Sequence, residues 1–320
     1  MRFLATIFIT ISLNVFAQGP YAPVAGSIGT TAMHKDSSAF TDWASACTVE
    51  RGWQNIADTT LGKTSTGDIY SATEKSGVNG VVSLGDGGSA ILTFSSPIIN
   101  GNGPDFAVFE NAFNNTFLEL AHVEVSSDGI NYFRFESFSL SQINTQIISN
   151  VNATGIQNLA GKYRAQFGTP FDLEQMIGIT NLDVNNITHV KIIDVVGSIN
   201  EQYGSFDSQG NIINDPFPTP FETGGFDLDA IGVIHSFVGI KESPNTFKIF
   251  PNPAKEKATI IFDNLSEKTI QLIDLNGVIV FQLKSKSNQI DLDLFRYSKG
   301  VYILKLIEGK NINIQKLLIN

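Results

Sequence analysis

The chain has 320 residues, of which 16% are charged, and a formal net charge of −10. That length suits two ordinary domains, each with its own core, and 24 Phe, 28 Gly and few helix signals suit an all-β protein rich in turns. The single cysteine, Cys47, excludes an intrachain disulfide and a thiolate metal cluster. Charge divides the chain: residues 18–240 hold 8 basic and 23 acidic side chains, a difference of −15, whereas residues 247–320 hold 11 and 7, a difference of +4. Opposite signs point to two separate units. The acidic one is the wrong partner for nucleic acid, whose phosphates need a basic face.

In chain order, residues 1–17 read as a signal peptide: Arg2 at the start, an apolar run over 3–16, and small residues at Val15 and Ala17 before a cleavage point. The run is short for a membrane span, and no later stretch reaches 18 consecutive apolar residues, so no transmembrane segment is expected after signal removal. Residues 18–238 form the acidic domain, 239–246 a polar linker and 247–320 a second, smaller domain. Between 19 and 79 the chain is loop-rich. A short helix is expected over 39–46. Trp43 and Trp53 serve either packing or an aromatic platform for a ligand.

From residue 80 the strand signals become regular. Gly85-Asp86-Gly87-Gly88 reads as a hairpin turn joining strands at 81–84 and 90–94. A buried strand bracketed by Asp105 and Glu110 follows, then strands at 118–126 and 132–135 around a tight turn at 127–131. Residues 139–182 form a long polar excursion of the kind that carries function or a small element of its own. It contains the basic pair Lys162 and Arg164, which face either an anionic ligand or an internal partner such as Asp172 or Glu174. Asp172 is placed to cap a helical turn over 171–177. Strands resume at 188–196 and 226–235, separated by an insertion over 202–223.

The last seventy-odd residues run Phe250-Pro251-Asn252-Pro253-Ala254, then Ile270-Gln271-Leu272-Ile273-Asp274-Leu275-Asn276-Gly277, Ile290-Asp291-Leu292, Ser298-Lys299-Gly300-Val301-Tyr302-Ile303-Leu304-Lys305 and Gln315-Lys316-Leu317-Leu318. Pro251 and Pro253 keep the first segment out of a central strand. In order, spacing and terminal position these pieces resemble the type A sorting domain of the Bacteroidetes type IX secretion system. That resemblance implies a small antiparallel β-sandwich and export across the outer membrane by the type IX machinery. It also implies removal of the domain by a sortase-like peptidase, with the remainder attached to the surface or released. Upstream, Val82-Ser83-Leu84-Gly85-Asp86-Gly87-Gly88, Gly103-Pro104-Asp105-Phe106-Ala107-Val108-Phe109-Glu110-Asn111, Leu159-Ala160-Gly161-Lys162-Tyr163-Arg164 and Gly225-Phe226-Asp227-Leu228-Asp229 resemble uncharacterised bacterial cell-surface proteins. The strand–turn grammar resembles jelly-roll domains of the galactose-binding or carbohydrate-binding type, which implies a jelly-roll-like β-sandwich with long loops.

The acidic motifs supply the metal candidates. Asp227 and Asp229 are two apart on a strand and so project to one face. With Asp86, Asp105 and Glu110 they offer oxygens of the kind Ca²⁺ takes, in a structural role. The histidines, His34, His122, His189 and His235, are too scattered to favour zinc. The expected function is a secreted or surface-attached, non-enzymatic module that binds a glycan or small ligand through Trp43, Trp53, Lys162 and Arg164. The rivals are an extracellular polysaccharide hydrolase with a carboxylate pair and a structural or adhesive surface protein.

Overall fold

The computed structural model describes residues 19–237, 247–309 and 311–320. The expected signal peptide and linker lie outside the described residues. The chain divides into two compact units, the second beginning at Gly239. Both are built from strands, with helix restricted to three short 3₁₀ turns among the described residues. No helix among them is long and apolar enough to cross a membrane.

The first unit holds β1 (Met33–His34), β2 (Asp42–Glu50), β3 (Val82–Ser83), β4 (Ser89–Ile98), β5 (Phe106–Glu110), β6 (Ala121–Ser126), β7 (Phe133–Arg134), β8 (Phe138–Ser139), β9 (Ile156–Gln157), β10 (Phe167–Phe171), β11 (Ile187–Asp194) and β12 (Asp227–Val233). Hydrogen bonds link them in the order β1-β10-β5-β12-β2-β4-β11-β6-β7, with β3 on β12 and a separate β8–β9 ribbon. The sheet curls until its far strands face each other. Phe106 of β5 lies 5.4 Å from Phe171 of β10, and Phe135, just past β7, lies 6.0 Å from Phe106 and 5.1 Å from Phe171. Leu92, Val108, Val123, Val190, Ile192 and Ile231, drawn from both halves, fill one core inside the curl. Period-2 alternation on β-branched and aromatic strands produces this single apolar inner face.

Three local expectations give way. Residues 39–46 are not helical: Asp42–Glu50 is a strand between β12 and β4, with Trp43 opposite Gly232 and Thr48 opposite Ile91. Packing between two partners outweighs a weak local helix preference. The segments around Gly85-Asp86-Gly87-Gly88 form no hairpin with each other, because β3 pairs with β12 while β4 pairs with β2 and β11. Finally, β12 carries a bulge at Asp229: Leu228 lies opposite Glu110, but Ala230 lies opposite Phe109. The extra residue resets the alternation, and the two aspartates bond different segments, Asp227 to Ser83 and Asp229 to Ser76 and Gly77. The turn after Asp172 does form, as a 3₁₀ helix Leu173–Met176 with the Asp172 carboxylate accepting from the Glu174 N–H.

The second unit holds β13 (Phe247–Phe250), β14 (Lys257–Phe262), β15 (Lys268–Ile273), β16 (Ile279–Ser285), β17 (Gln289–Asp293), β18 (Gly300–Glu308) and β19 (Asn311–Ile319). They form a three-stranded sheet β13-β14-β17 and a four-stranded sheet β16-β15-β18-β19. Phe247, Ile260, Leu272, Leu304, Leu306 and Leu317 belong to the core that joins the two sheets. β13 is an edge strand that ends at Phe250, as the prolines that follow require.

Candidate functional site

Two places in the first unit concentrate chemistry. One is a cluster of buried carboxylates at the ends of β5, β11 and β12. The Asp86 carboxylate is 4% exposed and accepts from the Ile56 N–H at 2.8 Å. Asp194, at the end of β11, accepts from the N–H groups of Gly87 and Phe226. Asp215 accepts from Leu120 N–H, Glu110 from Ala112 N–H, and Asp227 from the Ser83 hydroxyl. Gly225 makes the approach of β12 possible: its φ is +69°, and a Cβ there would sit 2.7 Å from an Asp194 carboxylate oxygen.

These groups feel one another. Burial pushes the Asp86 and Asp227 carboxyls up to about 6. Burial first, and then the charges of neighbouring carboxylates, push Glu110, Glu119 and Asp194 well above the ordinary range. Asp215 is also raised well above it, by burial foremost, with the Leu120 N–H opposing. No Lys or Arg is among the groups acting on these six carboxyls. Such a cluster resists full ionisation. Of the five carboxylates singled out from sequence, the fold brings Asp86, Glu110 and Asp227 to this cluster and sends two elsewhere. Asp105, wholly buried, accepts from Gly101 and Leu173 N–H and pairs with His235 Nδ1 at 2.7 Å. Asp229 bonds the Ser76 hydroxyl and the Gly77 N–H. Glu119, Asp194 and Asp215, the added members, come from segments 96 residues apart and carry no shared local motif. Among the described residues, no set of three or more His, Cys, Asp or Glu is arranged to hold a metal ion.

The other place is a cavity of about 690 Å³ between the N-terminal segment, the β8–β9 ribbon, β10 and the turn after Asp172. Tyr21 and Phe138, stacked 6.5 Å apart, form an apolar part of its wall. Gln157, Asn158 and Gln175 bring amides: Asn158 Nδ2 donates to Gln175 Oε1 at 2.7 Å, and Gln157 Nε2 donates to Asn158 Oδ1. Lys162 lines the cavity at 3% exposure. Its ammonium donates to the Ile156 carbonyl at 2.7 Å and lies 6.0 Å from the Tyr21 ring and 5.6 Å from the Tyr163 ring. Burial pulls its pKa down to about 8. Thr169 of β10 lines the same cavity at 4% exposure, and its hydroxyl has no hydrogen-bond partner among the described residues. A buried polar atom left unpaired is costly, and such atoms mark places where a bound group completes the bonding. Tyr21, Phe138 and Thr169 had no signal in the sequence beyond residue type. Only the folding of the long excursion against the N-terminal segment puts them around Lys162.

The other predicted ligand residues lie elsewhere. Trp43 packs between Phe40 and Phe109, at 5.0 and 5.4 Å, behind the main sheet. Trp53 pairs through its backbone with Lys63 and Asp86, and the Lys63 ammonium sits 5.4 Å from its ring. Arg164 lies 4.5 Å from the Phe167 ring. Neither Lys162 nor Arg164 forms the ion pair with Asp172 or Glu174 that the sequence offered. Asp172 caps its turn, and Glu174 accepts from Asn100 Nδ2.

Residues 248–320 match the family described as "Secretion system C-terminal sorting domain". The second unit is therefore a type IX secretion sorting domain, and the protein is secreted or attached to the outer-membrane surface. The match stops short of the first unit. A curated relative, "Ulvan lyase NLR42" of Nonlabens ulvanivorans, is 31% identical over 74 residues, which is 22% of this chain and 14% of that protein. The chain thus spans about one-seventh of the length of that relative. Among solved structures, PorZ, a surface component of the type IX secretion system of Porphyromonas gingivalis, overlaps 29% of this chain and 14% of its own at 14% identity and a TM-score of 0.23. The Ruminococcus gnavus β-glucuronidase overlaps 88% of this chain and 43% of its own, at 11% identity and a TM-score of 0.24. Overlaps this loose carry no argument about the first unit.

Proposed function

We propose that the first unit is a non-enzymatic module, carried to the cell surface by its sorting domain, that binds a glycan residue or another small ligand in the cavity beside Lys162. The observation that carries this reading is the Thr169 hydroxyl, buried and without a partner in a cavity that also holds a stacked aromatic wall and an ammonium group. Ligand sites of this kind are mostly apolar, with a few polar groups that fix orientation. By contrast, Glu110, a carboxylate of the kind a hydrolase would need, is 2% exposed and engaged by the Ala112 N–H. The test is a screen of mono- and oligosaccharides and other small nutrients by calorimetric titration against the full chain. Binding lost in Thr169→Val and Tyr21→Ala, with folding intact, supports the reading. Binding untouched by both variants places the ligand elsewhere.

The same reading has a sortase-like peptidase remove residues 247–320 after export. Detection of the mature protein with the sorting domain still attached at the surface would overturn that step. Calcium belongs to the reading as a structural ion of the first unit, at a place other than the carboxylate cluster, which is not arranged to hold a metal ion. An ion bound only by the folded state raises Tm by mass action, so an unfolding temperature unmoved by added Ca²⁺ removes it.

A further inference from the structure

We infer that the ligand held in the cavity beside Lys162 carries an oxyanion, a carboxylate or a sulfate ester, on a saccharide ring. This rests on the ligand-binding reading above and adds the charge class. An ammonium has three donors. In Lys162 one of them meets the Ile156 carbonyl, and the Tyr21 and Tyr163 rings near it attract the charge without offering oxygen acceptors. The cation is desolvated, and no carboxylate shifts it: burial is the one cause that lowers its pKa. Asp172 shares the cavity but makes no ion pair with Lys162, and one of its oxygens is held by the Glu174 N–H. In a unit with 23 acidic side chains, a buried lysine with none of them paired to it leaves a place for an external anion. The remaining wall suits a sugar ring. Tyr21 and Phe138 offer apolar surface for the C–H face, while Thr169 and the amides of Gln157 and Gln175 offer bonds to hydroxyls.

The test is titration of the full chain with glucuronate, galacturonate and glucose 6-sulfate, each beside its neutral parent sugar. The expected result is binding about tenfold tighter for the anionic member of a pair, since a hydrogen bond to a charged group is worth more than a neutral one. That advantage falls as salt is raised on the wild-type protein and disappears in Lys162→Met. The salt series stands by itself if the Met variant does not fold. Preference for the uronates or for the sulfated sugar supports the inference and identifies the oxyanion. Equal affinity for neutral and anionic sugars, weakened in Thr169→Val, overturns the charge assignment and leaves the ligand-binding reading in place. Absence of binding by every sugar of both classes overturns the inference, and the broader nutrient screen then decides the reading beneath it.

Discussion

Replacing Asp86 by Asn should stabilise the first unit at neutral pH and leave it unchanged in acid. The Asp86 carboxyl is 4% exposed, and burial raises it from 3.8 to about 6. A shift of roughly two units corresponds to about 3 kcal/mol between the two protonation states. The sign follows from linkage. A group whose folded pKa is raised binds more protons in the native state, so its favourable contribution is complete below the unfolded value and is lost as pH climbs through the folded value. From about pH 4 to pH 6 the wild-type protein therefore loses stability through this residue, and it stays at the lower level above. Asn keeps the oxygen that accepts from the Ile56 N–H, removes one charge from the field that raises Asp194, Glu119 and Asp215, and turns an amide donor toward carboxylates. In a unit of this size each kcal/mol moves Tm by roughly 2–4 °C. The full effect is about 6–12 °C, reduced by the desolvation cost of the amide, which is about 1–3 kcal/mol. Calorimetric melts of both proteins across this pH range, with a chelator present, read the bare cluster. A variant less stable than wild type at neutral pH, or a wild-type Tm flat between about pH 4 and pH 6, would refute the argument that these carboxylates repel one another unpaired.

Other perturbations separate packing from recognition. Trp43→Ala should cost about 3–5 kcal/mol, because its ring packs on Phe40 and Phe109; Trp53→Ala should cost far less, and denaturant melts compare the two. Gly225→Ala should lower Tm by several degrees, since φ +69° disfavours a side chain and the added Cβ meets the Asp194 carboxylate; a neutral result would mean the β12 entrance is free to shift. Raising pH through about 8 should strip Lys162 of its charge and weaken any anionic ligand, with neutral sugars unaffected, as titrations on either side of that value will show. Deleting residues 247–320 should leave the first unit in the periplasm, which fractionation and surface labelling distinguish from display.

The sorting domain was legible at β13, β15, β17, β18 and β19, while β14 and β16 carried no motif of their own. Its apolar alternation, its Asn276-Gly277 turn and its prolines are local signals, and every strand except β16 places buried residues in the shared core. The all-β class and the charge division were legible for the same reason: composition and period-2 pattern act within a few residues. Lys162, too, stood out as a cation in an acidic unit. What surrounds it did not, because Phe138 and Thr169 reach it through the folding of the excursion and Tyr21 through the docking of the distant N-terminal segment. The carboxylates show the same limit. Asp227 and Asp229 look paired in sequence, yet they bond different segments, Ser83 on one side and Ser76 and Gly77 on the other, while Asp194 and Asp215 approach Asp86 from segments far along the chain. Alternation and turn chemistry are written into neighbouring residues. Register, bulges and the meeting of distant loops are settled only by which packing buries the most apolar surface, and that is a property of the whole fold.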